Sequence, residues 1–166
     1  MILYLDTSAL IKLYAEEPRT EEVRYAVEEA RLTAISEIGY VEARSALARR
    51  EREGSFSKEE HDEAVKRLEH DFREFYLLRQ VSGGTIARAG ELVRSHALRA
   101  YDAVHLATAL ALHEEAHELP QDQRQPAEEL RVWLMTYDSA LHKVAQREAL
   151  AGGGTGTGPP SNTPRR

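Results

Sequence analysis

The sequence consists of four short apolar runs separated by longer stretches with helical periodicity. The runs are MILYL at residues 1–5, RLTAIS at 31–36, YLLRQV at 76–81 and RVWLMT at 131–136. The first run is apolar at every position, which is typical of a strand buried on both faces of a parallel sheet. Strands that alternate with helices are joined by right-handed crossovers, which place helices on both faces of the sheet. The sequence therefore predicts an α/β fold with three layers, α/β/α, around a mostly parallel sheet.

The chain length fits one domain followed by a tail. A chain of 166 residues is long enough for one domain with a substantial core and too short for two well-packed domains. From residue 151 the sequence is AGGGTGTGPPSNTPRR, which is too rich in glycine, proline and threonine to pack. We therefore predict one domain over residues 1–149 and a disordered tail over residues 150–166. The polar segment 118–130 is predicted to be an exposed loop.

Composition excludes several classes of protein. The net charge of −6 gives no overall sign of nucleic-acid binding, although acidic metal ligands in a nuclease would contribute to it. The absence of cysteine excludes disulfides, zinc–thiolate sites and thiol catalysis. No segment approaches the roughly 20 apolar residues of a membrane span, and the start MILYLDTS lacks the basic residues of a signal peptide. We therefore expect a cytoplasmic protein with no membrane association.

Four acidic residues lie at or near the points where predicted strands lead into helices. Asp6 directly follows the first run, and Asp138 lies just past the fourth. Glu42 is on the helix after the second run, and Asp102 is in the first turn of a later helix. Ligands of parallel sheets bind beyond the carboxyl ends of the strands. We therefore expect the four acids to converge at one edge of the sheet.

Such a group of acids has a specific chemistry. Carboxylates that share a partly desolvated pocket repel one another, which raises their pKa values, and a divalent cation removes that penalty. Ligand sets made only of oxygen favour Mg²⁺ or Mn²⁺. A cation held in this way supports phosphodiester hydrolysis, because it activates water and stabilises the charge that develops. On spacing alone, Glu37 competes with Glu42 for the position on the helix after the second run.

Four segments resemble the signature segments of PIN-domain ribonucleases, in particular the VapC-type toxins of toxin–antitoxin pairs. The segments are YLDTSALIKLY, AISEIGYVEARSALAR, HALRAYDAVHLATAL and LMTYDSALHKVA, in the order found in the family. The resemblance spans residues 1–149 and implies a PIN-like α/β/α domain with a mostly parallel sheet of four or five strands. The family usually ends on a last short strand, at the point where this sequence runs into its glycine-rich tail.

The resemblance also implies roles for individual residues. It places the catalytic, metal-binding acids at Asp6, Glu42, Asp102 and Asp138, which favours Glu42 over Glu37, and the supporting hydroxyls at Thr7, Ser8 and Thr136. It implies an endoribonuclease that depends on Mg²⁺ or Mn²⁺ and acts as the toxin of a type II toxin–antitoxin pair. The implied partners are an RNA substrate, a cognate antitoxin that covers the acidic groove, and a second copy of the chain in a homodimer.

Several polar residues near these acids have simpler interpretations. Thr7 or Ser8 is expected to cap the helix after the first run. We interpret His105 as a buried histidine that orients neighbouring polar groups rather than as a ligand, and we interpret His96 in the same way. The helix after the second run carries a group of basic residues that fits either a solvated face or a path for RNA. The group comprises Arg44, Arg49, Arg50 and Arg52.

Two other functions are compatible with parts of the sequence. HEEAH, at His113 to His117, matches the H-E-x-x-H motif of zinc peptidases, with Glu114 in the position of the base. The longer metzincin pattern fails at Pro120 and Gln123, which favours an exposed, charged helix end instead. The second alternative is a non-catalytic module with the same fold that binds RNA or a protein partner. Loss of one acid would favour that module, and all four are present.

Overall fold

The computed structural model describes residues 1–118, 131–148 and 150, which contain a single sheet of four strands. The strands are β1 Ile2–Leu5, β2 Leu32–Ser36, β3 Leu77–Arg79 and β4 Val132–Met135. Their order across the sheet is β3-β2-β1-β4, and each neighbouring pair is parallel. Because β1 and β4 are adjacent and parallel, the residues that follow these two strands leave the sheet side by side.

Helices connect the strands in the described residues. They are α1 Thr7–Leu10, α2 Thr20–Glu29, α3 Glu37–Arg52, α4 Lys58–Glu74, α5 Gly83–Ser95, α6 Ala100–Glu118 and α7 Ser139–Arg147, and α1 continues into a short 3₁₀ helix, Ile11–Leu13. None of the described helices is long and apolar enough to cross a membrane.

Several helix ends follow from local sequence. Ser57 and Glu60 form a reciprocal capping box at the start of α4, with each side chain accepting a hydrogen bond from the other residue's backbone amide. The Ser82 side chain accepts the amide of Thr85 at the start of α5. Gly54, with a φ of 75°, follows the last turn of α3 in the left-handed conformation that glycine adopts without steric cost.

Alternate residues of the strands face opposite helical layers. On one face, the side chains of Leu3, Leu5 and Met135 pack with residues from α1 to α4. On the other face, Tyr4 and Leu134 pack against α6 and α7. The strands are therefore buried from both sides, which confirms the predicted three-layer α/β/α architecture around a parallel sheet.

Helix α6 is the most deeply buried helix of the fold. Every residue from Asp102 to Leu110 is buried, whereas Tyr101, just before them, is exposed. Small side chains at Ala103 and Ala107 allow the helix to pack closely with α5 and the sheet. The helix is therefore enclosed from Asp102 to Leu110.

The region after β1 differs from the prediction in detail. The sequence predicts one continuous helix from about Ala9 to Glu17, but the structure has a single α-helical turn followed by the 3₁₀ helix. The cap is Asp6 rather than Thr7 or Ser8, because the Asp6 carboxylate accepts the amide of Ala9 at 2.9 Å. Asp6 thus both ends the strand and starts the helix.

The chain returns to the sheet after α7. The carbonyl of Leu150 accepts the backbone amide of Leu134 at 2.8 Å, on the outer side of β4. The Leu150 side chain is 1% exposed and belongs to the core cluster of α6 and α7. The packed part of the chain therefore includes Leu150, one residue past the predicted domain boundary. The rest of the predicted tail, residues 151–166, and residues 119–130 of the predicted loop lie outside the described residues.

Truncation of the Leu150 side chain is expected to destabilise the protein. We expect Leu150→Ala to lower the free energy of unfolding by about 2 kcal/mol, because it removes buried methyl groups and leaves a cavity. Chemical denaturation measures this change. Val93→Ala serves as a control, because Val93 is 42% exposed and its truncation should change stability by no more than about 0.5 kcal/mol. Equal effects of the two substitutions would contradict the packed position of Leu150.

Candidate active site

The loops after β1 and β4 form one wall of an acidic site. Asp6 follows β1, and Asp138 follows β4 as the cap of α7. The two are joined through Thr136, whose hydroxyl donates to Asp6 Oδ2 at 2.6 Å and accepts the backbone amide of Asp138 at 3.0 Å. The parallel pairing of β1 with β4 thus brings together two acids that are 132 residues apart in the chain, since 138 − 6 = 132.

Asp6 is the most buried of the four acids, with 3% of its surface exposed. Its Oδ1 atom accepts hydrogen bonds from the hydroxyl of Ser8 at 2.7 Å and the amide of Ala9 at 2.9 Å. Burial raises the pKa of the Asp6 carboxyl, and His105, Thr136 and Ser8 offset part of that rise. The hydrogen bonds therefore hold in place a carboxylate that is costly to ionise.

The raised pKa of Asp6 has a consequence for stability. Above the ordinary pKa of 3.8, the unfolded chain is ionised at Asp6 while the folded chain retains a greater tendency to bind the proton. Ionising the buried group therefore lowers the free energy of unfolding as the pH rises through the folded-state pKa.

We therefore expect Asp6→Asn to raise the melting temperature in EDTA at alkaline pH. The difference from wild type should shrink as the pH falls, because the wild-type carboxyl then becomes neutral too. Thermal unfolding over a pH series measures it. Asp62→Asn, at a side chain that is 53% exposed, is the control and should give a small difference. A difference in melting temperature between Asp6→Asn and wild type that does not change with pH would contradict the prediction.

Hydroxyl groups bind the two loops together. Ser8 Oγ accepts the backbone amide of Tyr137 at 2.8 Å in addition to donating to Asp6. Thr7 Oγ1 donates to Glu42 Oε2 at 2.6 Å, across to helix α3. Thr7, Ser8 and Thr136, the three hydroxyl residues singled out in the sequence, thus each contact one of the four acids directly.

Glu42 enters the site from α3. Its Oε2 atom receives hydrogen bonds from Thr7 and from His105 Nε2 at 2.8 Å. Burial acts to raise the pKa of Glu42, but the hydrogen bonds from His105 and Thr7 outweigh it, so the pKa is lowered. The expectation of a raised pKa from mutual repulsion is therefore wrong for Glu42. Glu37 accepts the amide of Val81 instead, at 2.9 Å.

His105 contacts Glu42 from the buried side of the site. The ring is 2% exposed, and its Nδ1 atom lies 3.0 Å from the hydroxyl of Tyr4, a residue that is fully buried in β1. Burial raises the pKa of that hydroxyl far above its ordinary value, so Tyr4 keeps its proton and can donate it to Nδ1. In that arrangement the neutral ring carries its N–H proton on Nε2, which donates to Glu42 Oε2. The predicted burial of His105 is confirmed, and its contacts with Tyr4 and Glu42 are those that an orienting role needs.

Asp102 and Asp138 share one arginine. Arg99 donates from Nε to Asp102 Oδ2 at 2.7 Å and from Nη2 to Asp102 Oδ1 at 3.2 Å. The same Nη2 donates to Asp138 Oδ2 at 3.0 Å. These contacts, of which those to Asp102 contribute most, raise the pKa of Arg99. Together with Thr136, they connect Asp6, Asp102 and Asp138. Glu42 joins the site through Thr7, which directly follows Asp6 in the chain, and the charge of Arg99 acts to lower its pKa.

The donor set fits a hard divalent cation by its chemistry. It offers carboxylate and hydroxyl oxygens with no sulfur, which suits Mg²⁺ or Mn²⁺. The bridge through Arg99 shows that oxygens of Asp102 and Asp138 can meet around a single cationic group. In the described part of the chain, no three acidic or histidine side chains are already arranged as ligands of one ion. An ion that contacts three or more of them would therefore require side chains to turn, whereas an ion that keeps several waters needs only one or two carboxylates.

A basic cluster lies next to Asp138. The ring of Tyr137 has Lys12 Nζ at 4.6 Å and the Arg19 guanidinium at 4.8 Å from its centroid. Lys12 also donates to Glu17 at 2.7 Å, and burial, helped by Arg19, lowers its pKa. Arg19 has a φ of 74°, an uncommon conformation for a residue other than glycine. Positive groups thus border the acidic site on the β4 side.

The two remaining sequence features lie apart from these contacts. Both carboxylate oxygens of Glu114 are held by Arg88, at 2.7 and 2.8 Å, so this residue acts as an ion-pair partner in the structure. His117 Nδ1 lies 2.8 Å from the carbonyl of His113, one turn earlier in α6. In the arginine group of α3, Arg44 and Arg50 pair with acidic side chains, whereas Arg49 and Arg52 are exposed.

Arg99 is the site residue that the sequence analysis missed. It lies three residues before Asp102, which is the spacing of neighbours on a helix. That spacing could have suggested the contact with Asp102. The contact with Asp138 depends on how α6 meets β4, which sequence spacing does not reveal.

Comparison with known proteins shows the family. Residues 3–147 match the PIN domain family. Ribonuclease VapC45 of Mycobacterium tuberculosis, strain CDC 1551 / Oshkosh, is 32% identical over 114 residues, which cover 67% of this chain and 76% of the relative. Ribonuclease VapC49 of M. tuberculosis, strain ATCC 25618 / H37Rv, has the same identity and coverage.

Solved structures share the fold at lower identity. Mycobacterium tuberculosis VapC20, described as a sarcin-ricin loop cleaving toxin, superposes with a TM-score of 0.59 at 13% identity, over 86% of this chain and 94% of the other. A chain of a toxin–antitoxin complex from Klebsiella pneumoniae superposes with a TM-score of 0.51 at 23% identity, over 66% of this chain and 78% of the other. With the family match and the two curated relatives, the conclusion is direct: this chain belongs to the PIN domain family and, within it, to the VapC ribonucleases.

Proposed function

We propose that this protein is a metal-dependent endoribonuclease that acts as the toxin of a type II toxin–antitoxin pair. The observation that carries the proposal is the hydrogen-bonded linkage of Asp6, Asp102 and Asp138 through Thr136 and Arg99. Glu42 joins them through Thr7, the residue after Asp6. Membership among the VapC ribonucleases supports RNA as the substrate. The fold-level neighbours that are described as a toxin and as part of a toxin–antitoxin complex agree with the toxin role.

The four acids would hold Mg²⁺ or Mn²⁺. A bound divalent cation supplies a Lewis acid that polarises the scissile phosphate and activates water. The protein's own contribution is orientation. Ser8 and Thr136 fix the carboxylate of Asp6, while Thr7 and His105 fix that of Glu42. Residues that hold their own ligating groups in place reduce the reorganisation needed during the reaction.

Positive charge at the border of the site would receive the RNA backbone. Arg19 is partly exposed beside Tyr137 on the β4 side, and Arg49 and Arg52 are exposed on α3. Lys12 is buried against Glu17 and would contribute only its charge. Arginine binds phosphate through two parallel hydrogen bonds, so an acidic centre with a basic border can still bind a polyanion.

Removal of divalent cations is expected to abolish RNA cleavage. We expect wild-type protein treated with EDTA and dialysed to lose activity by at least about a hundredfold, because the carboxylates alone cannot activate water. Excess Mg²⁺ or Mn²⁺ should restore it. Cleavage of a structured RNA on denaturing gels measures both steps, and circular dichroism in EDTA checks that the fold is retained. Full activity in EDTA would contradict the metal dependence.

Partners and location follow from the same proposal. We infer that a cognate antitoxin covers the acidic site, that the toxin forms a homodimer and that it acts in the cytoplasm. Light scattering of the purified chain tests the dimer, and co-expression with the protein encoded next to it tests the antitoxin.

A non-catalytic binding module is the other candidate. It would bind RNA without cleaving it in the presence of Mg²⁺ or Mn²⁺. The presence of all four acids favours the enzyme.

A further inference from the structure

Arg99 contacts two of the four acids at once. Its guanidinium forms two hydrogen bonds with Asp102, and one of its nitrogen atoms also reaches Asp138. The Arg99 side chain is 75% exposed, whereas those of Asp102 and Asp138 are 11% and 25% exposed. The arginine therefore lies over the two carboxylates on the solvent side.

A divalent cation and Arg99 need the same oxygen atoms. The hydrogen bonds use both oxygens of Asp102 and Oδ2 of Asp138. Two cationic groups on the same pair of carboxylates would repel each other at contact distance. Because the guanidinium is 75% exposed, water can hydrate it as soon as it leaves the carboxylates, so a bound cation can displace it at small cost.

Displacement would leave Arg99 at the edge of the site. The residue lies just before α6, whose first turns are buried, so its backbone stays next to the acids while the exposed side chain turns. A guanidinium free of carboxylates matches the geometry of a phosphate and binds it through two hydrogen bonds. The ligand it would meet there is the backbone of the substrate RNA.

We propose that Arg99 is a ligand for the substrate phosphate that a divalent cation releases from Asp102 and Asp138. This inference rests on the ribonuclease function proposed above. The acids thus hold the arginine in the metal-free protein, and the metal-loaded protein presents it to RNA.

The first part of the test follows Arg99 directly. In full-length protein labelled with ¹⁵N-arginine, the Nε–H signal of Arg99, assigned from its absence in Arg99→Ala, should move on titration with Mg²⁺ alone. It should approach the position of exposed arginines, with the same midpoint as Mg²⁺ binding in calorimetry. We also expect Arg99→Ala to bind Mg²⁺ about fivefold more tightly than wild type.

A matched control is Arg94→Ala, at an 83% exposed arginine that pairs with Glu91 on α5. It removes the same charge and should change Mg²⁺ affinity by less than about twofold. A tighter affinity in Arg99→Ala without movement of the wild-type Nε–H signal would be an effect of net charge alone and would overturn the proposal.

The second part measures RNA binding. A short fluorescent single-stranded RNA is titrated in EDTA and in Ca²⁺, and gels check that it stays intact. In EDTA, wild type and Arg99→Ala should bind alike. In Ca²⁺, wild type should bind the RNA about tenfold more tightly than Arg99→Ala does. The slope of log affinity against log salt concentration should be smaller for the variant by about 0.7. Arg99→Lys should recover part of the binding.

A deficit of Arg99→Ala that is equal in EDTA and in Ca²⁺ would overturn the proposal, since the contact would not depend on the cation. The absence of any deficit would overturn it as well. If wild type cleaves no RNA with Mg²⁺ or Mn²⁺, the ribonuclease proposal fails separately, and the two binding measurements still decide the role of Arg99.

Discussion

Asp6→Asn is expected to lower RNA cleavage by at least about a thousandfold, equivalent to roughly 4 kcal/mol of transition-state stabilisation. Asparagine keeps the shape of the side chain and can still accept the amide of Ala9, so the cap of α1 is retained. It loses the negative charge that would hold the divalent cation. Initial rates with a structured RNA and saturating Mg²⁺ measure the loss.

Glu37→Gln is the matched control for this substitution. Glu37 is also an acid near the sheet edge, at the start of α3, but its carboxylate accepts the amide of Val81 and contacts none of the four site acids in the described residues. We expect it to retain activity within about threefold of wild type. Comparable losses in the two variants, or full activity in Asp6→Asn, would contradict the proposed site.

His105→Ala is expected to reduce both stability and activity. The substitution removes one hydrogen-bond partner from Tyr4 and one from Glu42, which keeps only Thr7, and it opens a cavity; together these changes should cost about 3 kcal/mol of folding free energy. Because Glu42 then loses its orientation, we expect cleavage to fall by about a hundredfold. Chemical denaturation and initial rates measure the two effects separately.

Two further variants separate a positioning role from a purely structural one. His105→Gln can still place an amide donor toward Glu42, so it should recover part of the activity even if stability stays low. His96→Ala removes another partly buried histidine, one that lies 3.9 Å from Glu148, and should leave cleavage within about threefold of wild type. Activity that simply follows the folded fraction in all three variants would contradict the positioning role.

The fold and the four acids were accessible to sequence reasoning because they depend on local patterns. Apolar runs such as MILYL identify strands, and the rule that parallel strands end at a common edge predicts that Asp6 and Asp138 meet. The choice of Glu42 over Glu37 needed the family resemblance, since both lie on the same helix. In the structure the difference is one of direction, with Glu42 toward Thr7 and Glu37 toward Val81.

Other properties depend on contacts that no local pattern contains. The pKa of Glu42 is lowered because His105, 63 residues away in sequence, donates to it, whereas counting the acids predicted the opposite. The bridge of Arg99 to Asp138 spans 39 residues. The pairing of Leu150 with β4 depends on how the end of α7 returns to the sheet. Each of these three contacts joins residues on different helices or strands, so it can be found only once the relative positions of those elements are known.

The burial of α6 suggests how the site responds to its ligands. Amides from Ala103 to Leu110 should exchange with solvent only through global or near-global unfolding, because these residues are buried and their amides are hydrogen-bonded to the preceding turn. His105 thus belongs to the slowest-exchanging part of the molecule, and Asp102 directly precedes that part. Because Asp102 and His105 are already ordered, ligand binding should cost little conformational entropy at these two residues. The loss of conformational freedom should be concentrated in the exposed side chain of Arg99.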